Sequence, residues 1–459
     1  MIKKILLIGW FLIVVVLVLN VLNNQGMPLG FDHGPYKYFI WLYESHNGRM
    51  SELSQTLQGQ FEPFSGAFFF YLKTAVSDHF LFTWLYLGAH VFISILFFVL
   101  WKNNRKYSLW WLIGWLLFLI SSVQYGNYAG ALWKQIFATI FLLLSIRYQK
   151  KIFLQSIFLL TCISLHRLTG FVAILFSLFE LLSAKKNISS VKKMAFVSVI
   201  SLAIIAYIPT FRSQVLPYLL SLTSHINENI FIQGRYGAGF SAKNFWFLET
   251  PLILIILLWI AQTHKKNYTS LIKNPYVLTF GVVAFFVIFR GIAHSRFQSF
   301  FDLFLLLIFV QHASLYIWKK WIYILLIIQT VLWFWIFSHD HSSPIDYQES
   351  IIIKSIVKNI PENAQLFSLS SEYRALMTGY GHRDFRDEDR KYLSIATKND
   401  RIRLSKDKQF LCDRLWKVEN EVFLYRGAKE KVLSPINNPC LRVIKTWNNG
   451  AQFMHYSKE

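Results

Sequence analysis

Charged residues are scarce in this chain. Of its 459 residues, 16% are charged and 54% are hydrophobic, whereas a typical soluble domain carries roughly 25% charged residues. The mean hydropathy is +0.38. This deficit of charge excludes an ordinary soluble enzyme and indicates a protein whose main solvent is lipid.

Acidic residues are fewer than basic ones, with 25 Asp and Glu against 47 Lys and Arg, so the formal net charge is +22. In a soluble protein this excess would suggest a nucleic-acid partner. Here the basic residues fall mostly in short connections between apolar runs, which is the positive-inside pattern of membrane proteins. We therefore predict membrane lipid as a partner and no nucleic acid.

Cysteine is also rare, with three residues, and no C-x-x-C or H-E-x-x-H motif marks a metal site. Cys162 lies in an apolar run, where a small buried hydrophobic residue is expected. Cys412 and Cys440 lie in the C-terminal tail, and the sequence leaves open whether they pair in an oxidising compartment. We predict no metal ligand from these residues.

Long apolar runs, by contrast, are abundant. A helix needs about 20 mainly apolar residues to cross a bilayer with its backbone hydrogen bonds made internally. The runs predict an all-α polytopic membrane protein with about eleven transmembrane helices. The first run follows Lys3 and Lys4 without a cleavage site, so we expect it to be retained. The predicted spans lie near residues 4–22, 80–101, 108–123, 131–146, 152–166, 169–184, 194–211, 246–263, 276–292, 297–316 and 321–338.

The distribution of charge orients these spans. The N-terminus and every second connection together hold 17 Lys and Arg and no Asp or Glu. This alternation predicts a cytoplasmic N-terminus and an extracytoplasmic C-terminus in the cytoplasmic (inner) membrane. Two of the predicted outer loops are long, at residues 23–79 and 212–245.

A tail of about 120 residues follows the last predicted span and has an ordinary soluble composition. Its segment 356–368 predicts the end of a helix, a turn and a short strand. We predict two domains: a transmembrane helical domain over residues 1–338 and a small extracytoplasmic α+β domain over residues 339–459.

One carboxylate of the first outer loop stands out. Asp32 follows the first span by about ten residues and precedes an aromatic-rich amphipathic stretch that predicts a helix in the membrane interface. A carboxylate there can deprotonate an acceptor hydroxyl as it attacks an anomeric carbon, and His33 and Tyr36 are candidate substrate contacts beside it. The alternative is that Asp32 only caps a helix or a turn before Pro35.

Basic residues at the outer surface oppose the positive-inside rule and therefore need another explanation. Arg binds phosphate in a bidentate manner and Lys acts as a point charge, so these residues suit the phosphate of a lipid carrier. The alternatives are a snorkelling lysine and an Arg–Asp pair that involves Asp302. The candidate contacts to sugar or lipid phosphate are Lys134, His166, Arg167, Arg290, His294 and Arg296.

With these residues, the chain resembles the GT-C class of integral-membrane glycosyltransferases. The resemblance rests on Asp32 within residues 31–36 (FDHGPY), on the many-helix body and on the outer tail beginning at Pro361. It implies a catalytic acid in the first loop and a polyprenyl-linked sugar donor. Many members carry two acids where this chain has Asp32-His33, so a divalent metal is left open, and Glu44 or Glu62 is a candidate second acid.

A shorter stretch resembles the EpsG/Wzy-like polysaccharide polymerases. It comprises residues 133–138 (WKQIFA), 147–151 (RYQKK) and 165–170 (LHRLTG). Lys134 stands where those proteins have an arginine before Gln135, and Arg167-Leu-Thr replaces smaller residues. This resemblance also implies glycosyl transfer from a polyprenyl carrier on the outer face.

The sequence thus favours a membrane glycosyltransferase. It is predicted to move a sugar from a polyprenyl-phosphate or pyrophosphate carrier to a glycan or lipid acceptor in cell-surface glycan assembly. Three alternatives stay open: an EpsG/Wzy-like polysaccharide polymerase, a flippase or transporter of a lipid-linked glycan, and a non-catalytic scaffold that presents the tail.

Overall fold

The computed structural model describes residues 2–30, 33–45, 63–99, 108–183, 242–263, 273–289, 294–311, 319–361, 364–368, 371–382, 412, 421–429 and 440–456. Most of these residues are helical. The helices that precede the tail are α1 (Ile2–Asn23), α2 (His33–Ser45), α3 (Pro63–Ala75), α4 (Asp78–Phe80), α5 (Tyr86–Val99), α6 (Ser108–Leu119), α7 (Ser122–Ala129), α8 (Trp133–Arg147), α9 (Ile152–Leu165), α10 (Arg167–Ser183), α11 (Ala242–Thr263), α12 (Pro275–Ile288), α13 (His294–Gln311) and α14 (Lys319–Asp340).

Helices occur at ten of the eleven predicted spans, and the span predicted at 194–211 lies outside the described residues. Three of the described helical segments are long and apolar enough to cross a membrane: Lys3–Asn23, Asp78–Phe97 and Trp321–His339. The second of these passes through a π-helical turn, Leu81–Leu85. The chain is thus a mainly helical membrane protein, and the total of eleven transmembrane helices stays a prediction.

The connection between the predicted spans 108–123 and 131–146 contains the short buried helix α7. Ser121 starts it, because its hydroxyl accepts a hydrogen bond from the backbone N–H of Gln124 at 3.1 Å. Gly130 caps its end, and Ala131 turns the chain with a φ of 59°. Seven of its eight residues are buried, so polar side chains of this segment lie inside the helical body.

The described chain divides into two compact units. The membrane unit comprises Met1–Asn20, Ser54–Phe68 and Trp84–His341, and the tail unit comprises Val21–Leu53, Phe69–Thr83 and Ser342–Glu459. The second unit therefore combines parts of the first predicted outer loop with the C-terminal tail. The predicted domain boundary at residues 338 and 339 stays a prediction.

Close helix packing in the membrane unit depends on small residues. A Cβ at Gly170 would lie 2.6 Å from the Ile163 Cα, and one at Gly114 would lie 2.3 Å from Val310 Cγ2. Small residues at these positions let helices approach where lipid supplies no hydrophobic drive for association. Buried aromatic rings fill the interior, among them Trp133, Trp333, Tyr125, Phe176, Phe300 and Phe304.

The tail unit is an α+β structure. Helices α15 (Tyr347–Asn359) and α16 (Ser371–Gly381) pack with a sheet of β1 (Gln365–Phe367), β2 (Val422–Arg426), β3 (Leu441–Thr446) and β4 (Gln452–Tyr456). The strand order is β1-β2-β4-β3; β1 and β2 are parallel, with Leu366 opposite Phe423, and the other pairs are antiparallel. The predicted helix, turn and short strand at 356–368 are confirmed by α15 and β1. Cys412 and Cys440 form a disulfide.

The core of the tail unit includes a residue of the first predicted loop. Met27 packs with the tail residues Ile345, Leu376 and Tyr380 in one buried apolar cluster. Ser343 adds two polar links, because its N–H donates to Asn24 Oδ1 at 2.6 Å and its hydroxyl donates to the Pro28 carbonyl at 2.9 Å. The segment that leaves α1 is therefore built into the fold of the tail.

Candidate functional site

A buried polar cluster lies in the membrane unit around Asp302 of α13. The hydroxyl of Ser121 donates to Asp302 Oδ2 at 2.9 Å, and the Gln124 amide donates to the same oxygen at 2.8 Å. Gln124 Nε2 also donates to the Ser299 carbonyl at 2.8 Å. The first turn of α7 thus binds one face of α13 through side chains that would be costly to bury unpaired.

A second acid joins this cluster. Glu249 lies on α11, two residues before the helix-internal Pro251, and is 3% exposed. Its carboxyl group lies beside that of Asp302. The cluster therefore contains two buried acids from different helices.

Gln135 links the start of α8 to the start of α13. Its Nε2 donates to the Ser299 hydroxyl and, at 3.2 Å, to the Arg296 carbonyl. Lys134 precedes Gln135 in the chain, and both Lys134 and Arg296 are half-buried. Two of the basic residues predicted from sequence thus lie on segments that are bonded to each other.

The start of α8 is held by stacked aromatic rings. Trp133 is fully buried and stacks on Tyr86 with ring centroids 4.6 Å apart and an interplanar angle of 7°. Tyr86 in turn stacks on Tyr128 at 5.0 Å and donates its hydroxyl hydrogen to the Tyr128 carbonyl at 3.2 Å. This packing fixes the backbone that carries the adjacent Lys134 and Gln135.

A small cavity of about 10 Å³ adjoins the polar cluster. That volume suits about one water molecule. Among the described residues, His90 Nε2 and Gln135 Oε1 are buried without a hydrogen-bond partner, and both residues line the cavity. The other polar side chains of its lining are Gln124, Asn127, Thr139 and Ser299.

A tight turn joins α9 and α10, where the predicted spans 152–166 and 169–184 meet. His166 is the single residue between the helices, and its Nδ1 accepts from the Thr169 N–H at 3.3 Å and the Thr169 hydroxyl at 2.7 Å. A neutral His166 with Nδ1 accepting carries its proton on Nε2. Arg167 opens α10, and Phe171, one turn later, contacts Phe297 edge-to-face at 6.4 Å. The starts of α10 and α13 are therefore neighbours.

The chain matches the EpsG family over residues 9–349. It belongs to the EpsG family. None of the curated proteins matches it. The resemblance to EpsG/Wzy-like polymerases noted for residues 133–170 is thereby confirmed at the level of the family, while the GT-C class stays a prediction.

Family membership fits the membrane unit. It is consistent with a membrane protein of polysaccharide biosynthesis and with a transferase activity of the glycosyl-transferring kind. The matched range contains the whole polar cluster: Ser121, Gln124, Gln135, Glu249, Ser299 and Asp302. It ends early in α15, so most of the tail lies beyond it.

The predicted site residues of the first loop belong to the tail unit. Asp32 lies outside the described residues. His33 is fully buried, and Tyr36 is buried against Phe69 with ring centroids 5.9 Å apart. Burial, together with the charge of Lys37, lowers the pKa of His33 to about 3, so its ring is neutral at physiological pH.

The remaining predicted residues follow α12. Arg290 lies outside the described residues, and His294 is the first residue of α13, with its side chain likewise undescribed. Arg296 lies in the first turn of α13 rather than in the preceding linker. The described part of this EpsG-family chain contains no group of three His, Cys, Asp or Glu side chains that could hold a metal ion.

Sequence reasoning missed Glu249. It is the only acid in the apolar run 242–263, and an ionisable residue inside such a run is by default a candidate functional residue. Glu249 is thus a residue that the sequence alone could have indicated. The sequence suggests Asp302 as the acid of an Arg–Asp pair, whereas in the structure its carboxylate accepts from Ser121 and Gln124 and lies beside Glu249.

Proposed function

We propose that this EpsG-family chain is a membrane polysaccharide polymerase. It transfers sugar from a polyprenyl-phosphate or pyrophosphate carrier to a glycan or lipid acceptor on the outer face of the cytoplasmic membrane, with a body of the GT-C class. The observation that carries this proposal is the family match over residues 9–349, which includes all three stretches that resemble EpsG/Wzy-like polymerases.

The proposed chemistry uses one acid and several cations. The acceptor hydroxyl attacks the anomeric carbon and gives its proton to the Asp32 carboxylate, while the bond between that carbon and the carrier phosphate oxygen breaks. The negative charge left on the carrier phosphate is stabilised by Lys134, Arg167, Arg290 and Arg296. The further predicted contacts to sugar or phosphate are His33, Tyr36, His166 and His294.

The arrangement of the tail unit supports a common side for the first loop and the tail. Both belong to one compact unit, so the chain between residues 83 and 342 must cross the membrane an even number of times. The ten spans predicted in that interval satisfy this requirement. The Cys412–Cys440 disulfide supports an oxidising, extracytoplasmic side.

The test is sugar transfer by the purified full-length chain in proteoliposomes supplied with a polyprenyl-pyrophosphate-linked glycan. We expect Asp32→Asn to lower kcat by about 10²- to 10⁴-fold, since the general base is lost. Glu421→Gln, which changes an exposed acid of the tail paired with His455, is the matched control and should keep the native rate. Native activity in Asp32→Asn would remove Asp32 from the mechanism.

The length distribution of the products tests the acceptor. A ladder of products longer by whole repeats indicates a polymerase, and a single added sugar indicates a transferase of another kind.

A second candidate function is transport of a lipid-linked glycan, which the buried Glu249–Asp302 pair favours because paired intramembrane acids mark proton and ion pathways. Movement of the glycan across the proteoliposome membrane without transfer would support that function.

A further inference from the structure

The tail helix α16 packs against α2 with an unusually close backbone approach. A Cβ at Gly379 would lie 2.3 Å from the Gly34 carbonyl oxygen, and a Cβ at Gly34 would lie 2.1 Å from the Ala375 carbonyl oxygen. Real Cβ atoms do not approach backbone oxygens so closely. Each helix therefore presents a glycine to the backbone of the other, and this close contact fixes the position of α16 against α2.

The residues next to the two glycines, His33 and Tyr380, form a buried hydrogen bond with each other. The Tyr380 hydroxyl donates to His33 Nε2 at 3.1 Å, and both side chains are at least nine-tenths buried. The His33 Nδ1–H donates to the Gly30 carbonyl at 2.6 Å. Since a carbonyl can only accept, Nδ1 holds the ring proton and Nε2 is the acceptor for Tyr380.

A charged side chain adds to the same contact. Lys37, one turn after His33, lies with its Nζ 4.8 Å from the centre of the Tyr380 ring and 3.7 Å from Asp78 Oδ2. A cation over an aromatic face is attracted by the ring quadrupole. The Tyr380 ring thus contacts Lys37, and its hydroxyl contacts His33. A substitution that removes only the hydroxyl therefore separates the two contacts.

These contacts bracket the acid predicted from sequence. Gly30 and His33 flank residues 31 and 32, and His33 binds the Gly30 carbonyl across them. On the N-terminal side, Met27 is part of the tail core and Pro28 is bonded to Ser343. The backbone on both sides of Asp32 is therefore held by the tail, which lies largely beyond the range matched to the family.

We infer that Tyr380 is a positioning residue for glycosyl transfer, which acts through His33 to fix the start of α2, the helix that directly follows Asp32 in the chain. This inference rests on the proposed function for its link to catalysis, and on the contacts above for the fixing of residues 33–37.

The experiment compares Tyr380→Phe with Tyr373→Phe in the full-length chain in proteoliposomes. Both changes remove one buried hydroxyl from the same helix; that of Tyr373 bonds the Pro344 carbonyl and the Lys429 N–H, both within the tail. Phenylalanine at 380 keeps the ring beneath Lys37. Amide hydrogen exchange of residues 33–37 and the separate values of kcat and KM are measured for each variant.

We expect Tyr380→Phe to raise exchange at residues 33–37 by about tenfold and to lower kcat by about tenfold, with KM within about twofold of native, since one hydrogen bond is lost. Tyr373→Phe should leave both quantities within about twofold of native. In the double variant His33→Asn with Tyr380→Phe, the loss of kcat should be smaller than the sum of the two single losses, because both changes break the same hydrogen bond.

Three results would overturn the inference. Unchanged exchange in Tyr380→Phe would show that the hydroxyl does not fix the start of α2. Increased exchange with native kcat would show that fixing the start of α2 does not matter to the reaction. Equal loss of kcat in both variants, in step with their thermal stability, would show only a general structural role. The proposed function can fail separately from this inference. If Asp32→Asn kept full activity, the exchange measurement on Tyr380→Phe would still test whether the hydroxyl fixes residues 33–37.

Discussion

Single buried polar residues hold the tail unit together. Glu349 is fully buried in α15, and its Oε1 accepts from the Tyr425 hydroxyl at 2.8 Å and from the Ala428 N–H at 3.0 Å. Its Oε2 has no hydrogen-bond partner among the described residues. Burial raises the pKa of Glu349, and the two hydrogen bonds oppose that shift only in part.

The raised pKa of Glu349 makes the stability of the tail depend on pH. Because the folded state binds the proton more tightly than the unfolded state, the contribution is fully present below the ordinary pKa and is lost as pH rises through the folded pKa. We expect Glu349→Gln to remove this component, because Gln keeps the acceptor oxygen without a charge. We expect Glu349→Ala to lower the free energy of unfolding by about 1–3 kcal/mol, since two donors lose their acceptor.

Thermal unfolding of the detergent-solubilised chain at about pH 5 and about pH 8 checks both expectations. The native chain should lose stability between the two values, and Glu349→Gln should lose less. A native chain that becomes more stable as pH rises, with Glu349→Gln showing the same change, would contradict this account of Glu349.

The sequence identified several functional candidates at this scale but not their surroundings. Lys134, Arg167 and Arg296 are candidates because they oppose the positive-inside rule. The structure brings the backbones of residues 134–135 and 296–299 together through Gln135. The bonds to Asp302 come from residues about 180 positions away in the chain. No local pattern encodes such a separation.

At the scale of elements, hydropathy located the apolar helices well because each is a continuous run of side chains that prefer lipid. It missed α7, whose eight residues include Gln124 and Asn127. A short polar segment looks like a loop until its partners on α13 are known. The helix predicted after Asp32 is confirmed as α2, and seven of its residues are buried. Its place in the membrane interface stays a prediction.

The contact between α2 and α16 gives a prediction for an element pair. Gly379→Ala places a methyl group 2.3 Å from the Gly34 carbonyl oxygen, so the helices must separate. We expect the tail to lose about 1–3 kcal/mol of unfolding free energy. Urea unfolding of the solubilised chain measures this loss.

Gly281→Ala is the control for that experiment. Gly281 also lies in a helix, α12, and a Cβ there would meet nothing within 4 Å. Replacing a helical glycine by alanine without a clash should be neutral or stabilising by up to about 1 kcal/mol. Equal destabilisation by both substitutions would mean that the effect does not arise from the helix contact.

At the scale of the whole molecule, the tail unit joins three distant parts of the chain. It contains residues 21–53, 69–83 and 342–459, and this grouping supports the proposal that the first predicted outer loop and the tail share one side of the membrane. Charge alternation predicts the same pairing independently, since ten spans separate them. The absolute side remains a prediction from the lysine and arginine count.

Labelling with a membrane-impermeant maleimide tests that side. Val443 is exposed on β3 and Lys151 is exposed before α9, while Cys162 is buried and the other two cysteines are paired. We expect Val443→Cys to be labelled in intact cells. Lys151→Cys should be labelled only after the membrane is permeabilised, and the reverse pattern would invert the proposed topology.

The sequence by itself determined the membrane class and the positions of most helices, because these depend on the local preference of each segment for lipid or water. Only the tertiary structure decided which polar residues meet. His33 forms a hydrogen bond with Tyr380, which lies 347 positions away in the chain, and Glu249 lies beside Asp302 of another helix. Such pairs form because buried polar groups must be satisfied by whatever partner the packing supplies, and packing is a property of the whole fold.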